Sequence, residues 1–256
     1  MIEHLCTVRA CRTPLTRDGA RVVCAHGHAF DVARSGYLNL LQPQDRRSRQ
    51  PGDSAAAVAA RKRIHAAGLA SSLLTGLEEN LQAAASDQVL DVGCGDGYFL
   101  GEMQKRVGFD SEGLDISTPA VEAAAREYPA CWWVVANADR FLPYADGSFT
   151  RLLSITARMN PSEFHRVLRR DGRLLVAVPG PEDLIELRGE GRDRTDRTRE
   201  EFASFFSVVT QHRVTTGVVV DEQQVSDLRL TIYRPLGVKI PSRVTLSLDL
   251  LMLAPI

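Results

Sequence analysis

Nothing in this chain of 256 residues approaches the run of about eighteen uncharged apolar residues that a bilayer-crossing helix needs. The opening Met1-Ile2-Glu3-His4 lacks the apolar core and small-residue cleavage site of a secretion signal, so a cytoplasmic location without membrane contact is expected. An even cysteine count is also missing. Five cysteines in an intracellular chain argue against a disulfide framework. Net charge is nearly absent, at −1, but that figure conceals an imbalance. Residues 1–65 carry eleven Arg and Lys against five Asp and Glu, leaving 20 against 27 for the remainder. A basic front on an acidic body suits contact with a polyanion, the alternative being chance clustering of solvated arginines. Hydrophobic residues at 44% and charged residues at 25% are ordinary for a globular chain. The length fits one large domain with an appended module.

Three of the cysteines crowd into the first 24 residues. Cys6 and Cys11 form a Cys-x4-Cys pair, and after twelve residues comes Cys24-Ala25-His26-Gly27-His28. Two ligand pairs separated by enough chain for a hairpin can close a tetrahedron around one zinc ion. Thr13-Pro14-Leu15 and Asp18-Gly19-Ala20 are turn signals, and Arg21-Val22-Val23 reads as the returning strand. Spacing favours His28 as the fourth ligand over His26, which needs a tighter loop. The candidate set is therefore Cys6, Cys11, Cys24 and His28. Some forty residues with few apolar side chains need such a staple, so the zinc is expected to be structural.

Residues 42–53, rich in proline, glycine and charge, read as a basic linker between a zinc module at 1–41 and a catalytic domain at 54–256. Arg46, Arg47 and Arg49 there are candidates for phosphate contact. Ser54 is a plausible N-cap for an alanine-rich helix to Gly68, and a second helix is expected from Ala70 to Ala84.

The decisive segment starts at Gln88. A short apolar strand, Val89-Leu90-Asp91-Val92, runs into Gly93-Cys94-Gly95-Asp96-Gly97, and helical spacing follows. A second strand, Ser111 to Ile116, carries Asp115 twenty residues beyond Gly95, where an acid can accept both ribose hydroxyls. A nicotinamide or flavin dinucleotide is the competing ligand. Three features favour S-adenosylmethionine. Asp91 can face a cationic amino-acid group, the glycines alternate without the longer dinucleotide gap, and Asn137 and Ala138 follow a third strand, Trp132 to Val135, where methyltransferases frame adenine. The expected fold is α/β, a Rossmann-like class I methyltransferase, with cofactor contacts at Asp91, Gly93, Gly95, Asp96, Asp115, Ile116, Asn137 and Ala138. Further strands are expected at Arg151–Ile155, after Asp171-Gly172, at Leu228–Tyr233 and at Val244–Leu253, with a helix at Pro161–Arg169. Residues 188–201, almost wholly polar, read as a mobile or disordered loop.

The order of these pieces resembles bacterial 23S ribosomal RNA guanine-N1 methyltransferases that carry an N-terminal zinc module. The resemblance rests on the Cys/Cys/Cys/His cluster, Phe30-Asp31-Val32-Ala33 and Gly36-Tyr37-Leu38-Asn39-Leu40-Leu41. It extends through Arg47-Ser48-Arg49, Pro51-Gly52-Asp53-Ser54, the Asp91 loop, and Pro179-Gly180-Pro181 with Leu184, Glu186 and Leu187. It covers residues 5–190 and implies a ribosomal RNA partner and a homodimer. Three positions depart from the family pattern. Ala70 replaces a tyrosine, Asp183 replaces a histidine, and Ile155-Thr156-Ala157-Arg158 replaces an aromatic-small-proline pattern where the target base should sit. An altered pocket keeps a second reading open, a methyltransferase of a small heteroaromatic metabolite. Methylating guanine N1 requires removal of its proton, and Asp183 and Asp139 are candidates by position only.

Overall fold

The computed structural model describes residues 2–45, 51–232 and 240–256. Arg46, Arg47 and Arg49, and Tyr233 at the end of one expected strand, lie outside the described residues. Near the N-terminus, β1 (Leu15–Asp18), β2 (Arg21–Cys24) and β3 (Ala29–Asp31) form a small antiparallel sheet. β1 and β2 are joined at the expected Asp18-Gly19-Ala20 turn. A two-residue strand, β4 (Leu38–Asn39), then leaves this sheet and joins the main one.

Two helices follow, α1 (Ala55–Ala66) and α2 (Ser71–Leu81). Ser54 caps α1 as expected, its hydroxyl accepting from the Ala57 amide at 3.2 Å. An alternating α/β run comes next: β5 (Gln88–Val92), α3 (Tyr98–Val107), β6 (Asp110–Asp115), α4 (Thr118–Glu127) and β7 (Trp132–Val135). β8 (Phe149–Ile155), α5 (Pro161–Val167) and β9 (Leu168–Pro179) continue it. The chain closes with α6 (Ile185–Arg188), α7 (Thr195–Phe202), β10 (Phe206–Val219), α8 (Glu222–Leu230) and β11 (Arg243–Pro255).

The main sheet has eight strands in the order β10-β11-β9-β8-β5-β6-β7-β4. β9, β8, β5, β6, β7 and β4 run parallel, whereas β11 pairs antiparallel with both β9 and β10. The chain order reverses on either side of β5, so its carboxyl end is the switch point at which open α/β sheets bind ligands. Alternation along the strands divides the core between the two faces. Val89, Trp133, Val135 and Leu153 pack with α2, α3 and α8, while Leu90, Leu114, Val134 and Leu152 pack with α5 and α7. Cys6, Val22, Cys24 and Phe30 of the N-terminal sheet belong to that second cluster. The front is thus fused to the larger sheet through shared apolar core and one added strand.

Two expectations need correction. The segment beginning at Leu228 is the end of helix α8, because Asp221 and Gln224 form a reciprocal capping box that starts a helix before the apolar residues are reached. The second half of the expected 188–201 loop lies in helix α7, started where Asp193 accepts the Thr195 amide at 2.8 Å. The long edge strand β10 had no counterpart in the sequence reading.

Candidate cofactor site and metal centre

β5, β6 and β7 are neighbours in register, Asp91 opposite Gly113 and Asp115 opposite Val135, so their carboxyl ends finish in one row. That row brings the Asp91 loop, Asp115 with Ile116, and Asn137 with Ala138 to one edge of the sheet. The loop folds back over β6, with the Gly93 amide donating to the Leu114 carbonyl at 2.7 Å. Gly93 adopts φ +85°, and a Cβ there would stand 2.3 Å from that of Ala157. Both conformation and space therefore require glycine. Gly95, at φ +55°, presents its amide to the Asp115 carboxylate at 3.0 Å. The other Asp115 oxygen accepts the Ser117 amide at 2.8 Å. A carboxylate offers about four lone-pair positions, so Asp115 retains acceptor capacity for a pair of hydroxyls.

Asp91 is buried, and its Oδ1 has no hydrogen-bond partner among the described residues. Burial, reinforced by the charge of Asp115, raises its carboxyl to about 8. Buried polar atoms in folded proteins are nearly always paired, and an unpaired carboxylate oxygen at a glycine loop suits a cationic ligand. Asp96 differs. Burial opposes its charge, but the His65 imidazole, 3.1 Å away, and the Arg61 guanidinium outweigh that cost and hold its carboxyl below the usual range.

Arg61 and His65 were not anticipated from sequence. They stand four residues apart on α1, hence on one helix face. Arg61 pairs with Asp53, and its Nη1 lies 3.2 Å from where a Gly95 Cβ would be. His65 also stacks on Tyr98, ring centres 4.0 Å apart. The Pro51–Ser54 motif explains the placement, because Ser117 donates its hydroxyl to the Asp53 carbonyl at 2.8 Å. Ser54 then caps the helix that carries Arg61. The signal in the sequence was the motif itself, adjoining a basic residue two turns into the helix.

The departures from the family pattern also find places. Ala70 is buried at the start of α2 and makes no side-chain cap. Asp183, in the turn between β9 and α6, accepts the Ser247 amide at 3.1 Å and pairs with Arg188 at 3.1 Å; burial raises its carboxyl despite both. Asp139 follows Ala138 and pairs with exposed Arg158 across the gap to the β8 loop, at 3.3 Å. Thr156 in that loop has φ +51°, a conformation costly for a β-branched residue, of order 1–3 kcal/mol. Strain of this kind collects at functional sites.

At the front, Cys6, Cys11, Cys24 and His28 bring their ligand atoms within 4.8 Å of one another. Both Cys6 and Cys24 sulfurs lie near His28 Nδ1, at 3.4 and 3.3 Å, and the Cys11 and Cys24 sulfurs are 3.8 Å apart. Zinc bonds of about 2.3 Å to sulfur and 2.0–2.1 Å to nitrogen place tetrahedral edges at about 3.5–3.8 Å, so the donor set fits a zinc ion. His26 brings its Nδ1 to 3.2 Å from the Cys11 sulfur but stands outside the four-residue cluster.

The comparisons agree with this geometry. Residues 6–49 match the zinc ribbon described as RlmA, N-terminal, and residues 89–176 match a methyltransferase domain. A 23S rRNA (guanine(748)-N(1))-methyltransferase of Streptomyces fradiae is 36% identical over 223 residues, covering 82% of this chain and 78% of that protein. A relative from Micromonospora griseorubida, designated a 23S rRNA (guanine-N(1)-)-methyltransferase, is 35% identical over 73% of this chain and 69% of its own length. In fold, a TehB-like S-adenosylmethionine-dependent methyltransferase from Corynebacterium glutamicum superposes with a TM-score of 0.51 at 17% identity, over 79% of this chain and 98% of that one. The chain is an S-adenosylmethionine-dependent methyltransferase with a structural zinc ribbon, and it belongs to the family of 23S rRNA guanine-N1 methyltransferases.

Proposed function

We propose that this enzyme transfers methyl from S-adenosylmethionine to N1 of a guanine in a 23S rRNA hairpin, as its relatives are named for doing. The observation that carries the reading is the fusion of the basic, metal-stapled front to the catalytic sheet through β4 and the shared core. An enzyme for a small heteroaromatic metabolite has no evident need for such a front. An RNA enzyme uses it to hold phosphates at a fixed distance from the methyl donor.

Asp115 would receive the ribose hydroxyls, Ile116, Asn137 and Ala138 would frame the adenine, and the Gly93–Asp96 loop would pass beside the methionine part. Asp91 would face the cationic side of that group, and Arg61 its carboxylate. Cys6, Cys11, Cys24 and His28 would hold the zinc. Bound S-adenosylmethionine supplies a methyl already activated on sulfur, so the chain's task is to hold donor and nucleophile in line. Of the two acids considered for the N1 proton, Asp139 is the more exposed and meets Arg158, whereas Asp183 is more deeply buried and is engaged by both Ser247 and Arg188, so Asp139 is the better candidate.

The exposed edge strand β10, with Val208 and Val209 open to solvent, supports a homodimer through strand addition, which sedimentation would test. Among the described residues no helix is long and apolar enough to cross a membrane, consistent with work on ribosomes in the cytoplasm. The direct test presents radiolabelled S-adenosylmethionine with total RNA and with small-molecule extract, side by side. Label in ribosomal RNA is expected. Label confined to small molecules would establish the metabolite reading instead.

A further inference from the structure

A cleft of about 470 Å³ separates the zinc ribbon from the loop that follows β7, a size suited to a small ligand of roughly 300–1,000 Å³. Thr7 and Arg12 line it from the ribbon, and Asn137, Arg140 and Phe141 from the catalytic domain. Arg12 crosses between the two. Its guanidinium carbon lies 4.5 Å from the centre of the Phe141 ring, and no carboxylate among the described residues pairs with it. The ribbon fixes this reach. Ala10 and Arg12 both adopt left-handed backbone, at φ +62° and +49°, and the Arg12 amide donates to the Cys6 carbonyl at 3.2 Å. Phe141 is buried at 8% exposure and is flanked by Arg166, which Glu163 and the Leu142 and Tyr144 carbonyls hold in place. The result is an exposed arginine anchored on a fixed ring.

The cleft borders the proposed cofactor edge. Asn137 stands on both, and Asp139, next to Arg140, pairs with Arg158 in the loop after β8. Building on the RNA reading above, we infer that this cleft binds an unpaired nucleotide of the RNA that flanks the target guanine. The base stacks on the Arg12 guanidinium, and its phosphate meets Arg140. Single-stranded RNA is recognised through such stacking on aromatic rings or arginine planes. A lone charge would attract phosphate anywhere, whereas an arginine held over a ring sets the position and plane of one base.

The test uses the full zinc-loaded chain and a fluorescein-labelled hairpin RNA of 23S sequence with an unpaired guanine in its loop. Arg12→Ala and Arg12→Lys should each weaken binding about tenfold, the lysine failing because it keeps charge but loses the plane. Arg140→Ala should lower the dependence of log affinity on log salt by about one. Zinc content and S-adenosylmethionine affinity should not change in any of the three, which excludes misfolding as the cause. Wild-type affinity in Arg12→Ala would overturn the site, and wild-type affinity in Arg12→Lys would overturn the stacking. Methyl transfer to the same RNA separates the two proposals. Arg12-dependent binding without transfer leaves the cleft standing and removes the guanine-N1 reading, while transfer with an unchanged KM in Arg12→Ala does the reverse.

Discussion

Replacing Asp115 with alanine probes the cofactor site at its most connected atom pair. Its carboxylate holds the Gly95 amide at 3.0 Å and the Ser117 amide at 2.8 Å. Alanine deletes those anchors and, on the proposed reading, the acceptor for two ribose hydroxyls. Hydrogen bonds to a charged group contribute about 1.5–3 kcal/mol each, and water recovers part of that on truncation. The expected loss in S-adenosylmethionine affinity is about 2–3 kcal/mol, one to two decades in Kd. Asp115→Asn keeps the shape and one acceptor, so it should lose about one decade. Freed from their partner, the two amides should also lower the melting temperature modestly, so calorimetry must be run well below it. A cofactor analogue lacking one ribose hydroxyl sharpens the test. Wild type should bind it about tenfold more weakly than the intact cofactor, and Asp115→Ala should not distinguish the two. Folded Asp115→Ala with unchanged affinity would show that this acid does not face the ribose.

Other consequences follow from the same structure. Protein purified without chelator should contain one zinc per chain by elemental analysis. His28→Ala should lose it and His26→Ala keep it; zinc retained by the first variant and lost by the second would exchange their roles. Asp91 carries a carboxyl raised to about 8, so before cofactor binds, its contribution to stability is full below about pH 4 and disappears as pH rises through 8. A cationic cofactor selects the ionised form, so affinity should strengthen with pH by up to about tenfold per unit below 8 and then level off. Asp91→Asn should flatten that curve, and a flat curve in wild type would contradict it. Alanine at Arg46, Arg47 and Arg49 together should lower the salt dependence of RNA binding by about two to three, and an unchanged slope would remove the linker from the interface.

Much of this site was legible because its signals are local. The glycine loop needs conformations that glycine alone supplies cheaply, so the turn at the end of β5 is written in consecutive residues. The Cys/His cluster is legible for a similar reason, since zinc geometry restricts ligand spacing. Arg61 was invisible because its position depends on the Asp53 carbonyl meeting Ser117, residues 64 apart in sequence. The helix at 195–202 was hidden by its polarity, since only Thr195, Thr198 and Phe202 of its eight residues are buried. β10 escaped notice because residues 207–213 are all exposed and show no apolar alternation. In α8, apolar Leu228 and Leu230 suggested a strand, although the Asp221–Gln224 capping box already specified a helix.

The central claim, methylation of a guanine N1 in ribosomal RNA, is tested most directly by reverse transcription of 23S rRNA from the source strain and from a deletion strain. A methyl on N1 blocks base pairing, so wild-type RNA should show a stop at one guanine and the deletion should lose it. The wild-type copy should restore the stop. Gly95→Arg should not, because an arginine there is strained at φ +55°, crowds the Arg61 guanidinium 3.2 Å from its Cβ and adds a like charge beside it in the cofactor loop. An identical stop pattern in the wild-type and deletion strains would contradict the account.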